Sequence, residues 1–163
     1  KEVELSLNGR SLGKKPCGEE NGYMASYEIT YEPGILSVTD SNKENFSLTT
    51  AGSAKALNVT VENEVLKADE ASLSFVTVGL SDEDGNPNLW AVKNIEVKVE
   101  GAGTLQGFGN ADPQSTGSFD DTIWPTFDGY VMAVIRAGKT PGKIKVTISS
   151  PDLPPVVKEI TVI

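Results

Sequence analysis

The chain has 163 residues, a formal net charge of −9, 38% hydrophobic residues, one cysteine and no histidine. The acidic balance argues against nucleic acid and anionic membrane surfaces as partners, because phosphate binding needs clustered Lys and Arg. Without histidine the commonest general base and metal ligand are missing, and Cys17 alone can form neither an intrachain disulfide nor a zinc site.

Taken in order, Val3, Leu5 and Leu7 alternate with polar residues, which predicts a half-buried strand. Asn8-Gly9 is a strong hairpin signal, and Ser11-Leu12-Gly13 continues into a second short strand. Lys14 to Gly22 reads as a polar loop. Tyr23, Ala25, Tyr27, Ile29 and Tyr31 fall on alternate positions and predict a strand with one aromatic-rich face, suited to missing upstream strands or a neighbouring domain. Glu32-Pro33-Gly34 is a turn, with Pro fixing φ and Gly free to take a left-handed position. Strands follow at Ile35–Val38 and Phe46–Thr49. Thr50-Ala51-Gly52-Ser53 is small and polar and suits a junction.

Residues 1–51 therefore form a first unit with about five short strands, thin for a sandwich of about seven. It reads as a partial unit whose missing strands lie upstream of Lys1 in a longer chain. Residues 52–163 form the second unit. Its strands are expected at Ala56–Val61, Leu73–Leu80, Ile95–Val99, Tyr130–Ile135, Ile144–Ile148 and Val156–Ile163. In the last strand both faces are partly apolar, so the pattern leaves its inward face open. Ser118 to Pro125 reads as irregular. No segment holds a long 3.6-residue period, and turn signals punctuate short strands throughout. The fold class is all-β: two consecutive immunoglobulin-like β-sandwich units, the first incomplete.

Gly101, Gly103, Gly107 and Gly109 crowd one stretch between strands. A phosphate cradle needs a helix N-terminus directly after its glycines, but the polar loop Asn110–Gly117 follows, with no apolar helical period and no Lys. The glycines fit a strand that bends or bulges. Asp82, Asp84 and Asn86 imitate the opening of a calcium loop, but Gly85 is misplaced and Lys93 stands where the last ligand belongs. An Asp-Gly turn explains them, and no metal or cofactor is expected. Asp120-Asp121 and Asp82-Glu83-Asp84 lie too close in sequence to face each other across a cleft, as glycoside hydrolysis requires. Asn45-Phe46-Ser47 and Asn58-Val59-Thr60 match the glycosylation pattern by chance. No apolar run approaches a membrane span, and the opening Lys1-Glu2-Val3-Glu4 is not a signal peptide. The aromatic residues Trp90, Phe119, Trp124 and Phe127, in or beside loops, are the better candidates. Flat rings can stack on the C–H faces of sugars, although small sandwiches also use them for packing. Trp124, Phe119 and Trp90, with Asn110 and Asp112 nearby, are the candidate carbohydrate contacts.

Several motifs in order carry a family resemblance. Val3-Glu4-Leu5-Ser6-Leu7-Asn8-Gly9-Arg10-Ser11-Leu12-Gly13 resembles the "VELFLNGKSLG" element found after the catalytic barrel in family 2 glycoside hydrolases of the β-galactosidase type. Tyr31–Leu36 resembles the "YEPGTL" turn of that module, and Thr50-Ala51-Gly52 its closing "TAG". Leu73–Val78 with Asp82–Asn86 resembles the start of the next module, and Gly107–Pro113 its "GVGNGDP", with Ala111 where Gly is common. The resemblance implies a C-terminal region of a β-galactosidase-like enzyme, partnered by an upstream catalytic barrel and sandwich domains, in a periplasmic or extracellular setting. The catalytic glutamates of the family belong to the barrel, so none is carried over to this chain. Two other readings stay open: a free-standing carbohydrate-binding module, and an adhesin-type spacer. The second unit contains no counterpart of "NGRSLG", which weighs against a repeating spacer.

Overall fold

The computed structural model describes residues 1–163, which divide into two compact units, Lys1–Thr50 and Ala51–Ile163. Apart from one short 3₁₀ turn at Glu19–Asn21, the regular structure is all β. The all-β expectation holds.

The first unit is a single four-stranded sheet of β1 (Glu2–Leu7), β2 (Arg10–Pro16), β3 (Ile35–Asp40) and β4 (Asn45–Thr49), in the order β2-β1-β3-β4. Asn8 and Gly9 take positive φ of 53° and 78°, which is what a tight hairpin between β1 and β2 demands. Registers of Leu5 opposite Val38 and Val38 opposite Phe46, and of Leu7 opposite Leu36 and Leu36 opposite Leu48, place six apolar side chains on one face in two rows. Glu4, Ser6, Ser37 and Thr39 take the other face. The second strand runs three residues further than the hairpin motif indicates.

The strand expected over Tyr23–Tyr31 is absent. That segment joins no ladder. Instead Ile29 and Tyr31 border a hollow above Leu7 and Leu36, so the segment lies over part of the apolar face. A period of two reports side chains that alternate between neighbours; it is blind to whether the backbone groups find a partner strand. The segment's anchors are the Tyr27 hydroxyl, 2.9 Å from the Val3 carbonyl and 3.2 Å from that of Gly13, the Ser26 carbonyl, which accepts from Lys15, and the N–H groups of Tyr23 and Met24, which donate to the Gly18 and Asn21 carbonyls.

The second unit has two sheets. One holds β10 (Ile123–Pro125), β8 (Asn94–Gly101), β12 (Gly142–Ser150), β13 (Leu153–Val162) and β6 (Val65–Leu66), in that order. The other orders β5 (Ala56–Glu62), β7 (Leu73–Ser81), β11 (Tyr130–Ala137) and β9 (Gly103–Gly109). The β-branched residues Val76, Val78, Ile95, Ile144, Val146 and Ile148 are fully buried in one core with Phe108 and Ile135. Ile160 and Val162 join them, which fixes the inward face of the last strand; Val157 and Ile163 point outward. Two short strands escaped the sequence. Ile123–Pro125, expected to be irregular, pairs with β8, and Val65–Leu66 pairs in parallel with the end of β13. Neither is long enough to show a period.

The glycine-rich stretch is itself an edge strand. Gly101, at φ 101°, makes the bend out of β8, where any Cβ would strike the Lys143 carbonyl. Further along, Val134 pairs with Gly107 while Ile135 pairs with Leu105, so Gln106 is the extra residue of a bulge.

Candidate functional site: an apolar trough above the glycine strand

Phe108 turns inward and is 1% exposed, so its neighbours Gly107 and Gly109 must face outward. They stand beside Val134 and Met132 of β11, and Met132 in turn stands beside Thr77 of β7. Two outward positions without side chains leave a hollow. It measures about 390 Å³ and is walled by Phe119, Phe127, Tyr130, Met132 and Val134. No carboxylate, amine or thiol lines it.

The Phe119 wall is built by the loop that follows β9. The Phe108 N–H donates to the Phe119 carbonyl at 2.8 Å, tying the loop back to the edge strand. The Phe119 ring stacks on Trp124, with centroids 5.5 Å apart and planes 9° from parallel. Trp124 sits on β10 opposite Ile95, is 3% exposed, and donates its indole N–H to the Ser118 carbonyl at 3.2 Å. Gly117 and Gly109 let the pieces meet: a Cβ would lie 2.8 Å from the Trp124 ring in the first case and 2.5 Å from the Phe119 ring in the second.

The five candidate contacts therefore separate. Trp124 is buried, which corrects the expectation that it offers a ring face; it supports Phe119, which is 63% exposed. Asn110 lines the trough but its amide is engaged: Nδ2 donates to the Pro125 carbonyl at 2.8 Å and Oδ1 accepts from the Asp112 N–H at 3.0 Å. The Asp112 carboxylate accepts from the Gln114 N–H at 2.9 Å and closes the next turn. Trp90 does not line the trough; it is 87% exposed on the loop between β7 and β8. That loop is held by Asn88, whose Oδ1 accepts from the N–H groups of Trp90 and Ala91 at 3.1 and 2.8 Å, and whose Nδ2 donates to the Gly52 carbonyl at 2.7 Å. Tyr130 and Met132 were missed as trough residues. Their alternation along Tyr130–Ile135 was the signal, but one strand alone does not say which of its two apolar faces is left open.

The acidic turn is structural. The buried Asp82 carboxylate accepts from the N–H groups of Gly52, Asp84 and Asn86 and from the Asn86 side chain, at 2.8 to 3.0 Å. The Gly52 N–H and then the Asn86 amide hold its carboxyl below the ordinary aspartate range, against the opposing effect of desolvation. Asp120 and Asp121 lie exposed on the loop and do not line the trough.

A model of glycoside hydrolase family 2 C-terminal domain 5 matches residues 57–158. The chain belongs to this family. A second model, a domain of unknown function (DUF4982), matches residues 1–45. The resemblance drawn from the motifs is thus borne out. The chain is 34% identical over 164 residues to the β-galactosidase BoGH2A of Bacteroides ovatus, a match covering 98% of this chain and 19% of that protein. Among solved structures, a glycosyl hydrolase family 2 member from Bacteroides cellulosilyticus superposes with a TM-score of 0.93 at 32% identity, over 99% of this chain and 21% of the other. A β-glycosidase from Bacteroides vulgatus shares the fold at 20% identity, with a TM-score of 0.85 over 98% of this chain and 21% of its own. The chain thus spans about a fifth of the length of these relatives, and what it matches in family 2 is a C-terminal domain.

Proposed function

We propose that this chain is the non-catalytic C-terminal region of a β-galactosidase-like glycoside hydrolase, and that the trough above β9 is a surface on which the second unit packs against the rest of that enzyme. The observation that carries the packing role is the trough's chemistry. Its walls are Phe119, Phe127, Tyr130, Met132 and Val134, and the one side-chain amide at its rim, that of Asn110, is already engaged. Beside that amide, a sugar enclosed there would find only the Thr77 and Tyr130 hydroxyls as side-chain partners, and each of its own hydroxyls left buried and unpaired costs about 1–3 kcal/mol. Apolar side chains of a neighbouring domain gain about 25 cal/mol for each Å² of carbon they cover.

Two measurements test this. The purified chain is expected to give no hydrolysis of an aryl β-galactoside; clear turnover free of contaminating enzyme would overturn the non-catalytic assignment. Met132→Glu puts a charge into the trough. It is expected to lower the melting temperature of the full-length enzyme while leaving the isolated chain nearly unchanged. Equal effects in both would reject packing at this surface.

A second reading, direct contact with carbohydrate, is supported by Trp90. An anchored loop that holds an indole 87% exposed has the form of a sugar-stacking platform. A glycan array and a galactoside titration, with Trp90→Ala as control, decide it. Silence across galactosides and plant polysaccharides rejects this reading and leaves the first untouched.

A further inference from the structure

The two sheets of the second unit turn different surfaces outward. On the five-stranded sheet Glu96, Lys98 and Glu100 of β8 and Lys143 and Lys145 of β12 are exposed. Lys145 stands between Glu100 and Glu159, and ion pairs of 2.9 and 2.8 Å join Lys98 to Glu100 and Lys143 to Glu159. Such alternating charge makes a face for water. On the four-stranded sheet the buried Val76, Val78, Ala133 and Ile135 send their strand neighbours outward. The apolar ones are Leu73, Phe75, Tyr130, Met132 and Val134, and Arg136 is the one charge on the two central strands, β7 and β11.

Arg136 has neutral neighbours on both sides, Leu73 of β7 and Thr104 of β9. Its Nε is buried and has no hydrogen-bond partner. Although the chain has 23 acidic residues, its ion pairs go to Arg10, Lys14, Lys93, Lys98, Lys139 and Lys143, and none goes to Arg136. A buried donor on a charged group is costly to leave unpaired. The partner that fits it is a carboxylate, whose two oxygens match the planar guanidinium fork. The trough begins two residues away on the same strand, at Val134, and continues past Met132. At about 3.4 Å per residue, a surface that fills the trough with carbon needs a carboxylate about 7–14 Å further on to meet Arg136. Chain to supply that surface exists, because the relatives are about five times as long as this one.

We propose that a segment of the full-length hydrolase outside residues 1–163 lies on the outer face of the four-stranded sheet, with an Asp or Glu carboxylate paired to Arg136 and apolar side chains in the trough beside it. The five-stranded sheet is then the side in water. This rests on the packing role proposed above and deepens it by naming the charge that the partner surface must carry.

The test uses the full-length protein with a benzophenone amino acid in place of Thr104, which is exposed beside Arg136, or in place of Gln106 on the same strand if the first position disturbs folding. After irradiation, mass spectrometry is expected to place the cross-link outside residues 1–163 and close to an Asp or Glu. Arg136→Glu is expected to lower the melting temperature of the full-length protein more than that of residues 1–163 alone. Exchanging the mapped carboxylate for arginine should cause a similar loss by itself, and should restore about half or more of the loss when combined with Arg136→Glu. Cross-links confined to residues 1–163, within one chain or between two copies, overturn the proposal. So do equal losses in the two proteins, or an exchanged pair that recovers nothing. The packing role is judged apart from this, because Met132→Glu acts in the trough and leaves Arg136 in place.

Discussion

Gly107 and Gly109 face the same way on the same strand, yet the structure assigns them opposite tolerance to a methyl group. Neither has a positive φ, so alanine meets no backbone strain at either position. At Gly107 the nearest neighbour of a new Cβ is the Phe119 carbonyl oxygen at 3.8 Å, an ordinary contact. At Gly109 the new Cβ lands 2.5 and 2.6 Å from two carbons of the Phe119 ring. The ring then has two courses. Leaving forfeits the stack on Trp124, about 0.5–1.5 kcal/mol. Staying compresses the site, at about 1–3 kcal/mol for overpacking. The loss of unfolded-state freedom on replacing glycine, about 0.4–1 kcal/mol in favour of the folded form, is common to both variants and cancels in their difference. Gly109→Ala is therefore expected to be less stable than Gly107→Ala by about 0.5–3 kcal/mol. Urea unfolding followed by tryptophan emission measures this, because Trp90 and Trp124 are the only tryptophans and both belong to the second unit. A difference below about 0.3 kcal/mol would refute the reasoning. If the difference appears, adding Phe119→Ala to each variant should remove it.

Gly101→Ala meets both positive φ and the Lys143 carbonyl, and is expected to destabilise the second unit by about 2 kcal/mol or more in the same assay. Asp82 has a lowered carboxyl pKa in the folded state, so its contribution is fully present above the unfolded value of about 3.9 and is lost as pH falls toward the lowered value. Acid titration of unfolding free energy should therefore show a shallower decline in Asp82→Asn than in the parent chain. Asp69, lowered chiefly by the N–H groups of Ser72 and Ala71, supplies part of the slope that remains. Trp90→Ala, at an exposed position, should change stability by no more than about 0.5 kcal/mol while blue-shifting the average emission toward that of buried Trp124.

Much of the fold was legible because burial on one face writes a period of two into the chain. Val76 and Val78, Ile144 to Ile148, and the alternating Val3, Leu5 and Leu7 of the opening hairpin all marked strands that the structure contains. The same signal misled at Tyr23–Tyr31, which alternates but joins no ladder and leaves Tyr23, Ile29 and Tyr31 largely exposed. It was silent at Ile123–Pro125, where three residues and a proline give no pattern. The site was legible only in part. Aromatic residues in loops pointed to Phe119 and Trp124, but sequence does not say which ring is the support and which the surface. That is decided by β10, the strand too short to see, because pairing Trp124 with Ile95 carries the indole into the core. The trough itself depends on Gly107 and Gly109 facing outward, and this parity is fixed by Phe108 between them.

The order of strands in the larger sheet has a consequence for synthesis. Val162 pairs with Leu66 and Ile160 with Ile144, so the sheet is completed by residues translated last. At about 5–20 residues per second, β6 waits about 5–20 s for its partner to be made. Until β13 is made, one edge of β12 has no partner and Ile144, Val146 and Ile148 lack Ile160 and Val162 as core neighbours. Completion of this sheet therefore waits on β13, the last of its strands in chain order, and the edge of β12 stays open until then. Slow codons before residue 153 would prolong its exposure, whereas the first unit's hairpin, formed from the first sixteen residues, can pair long before.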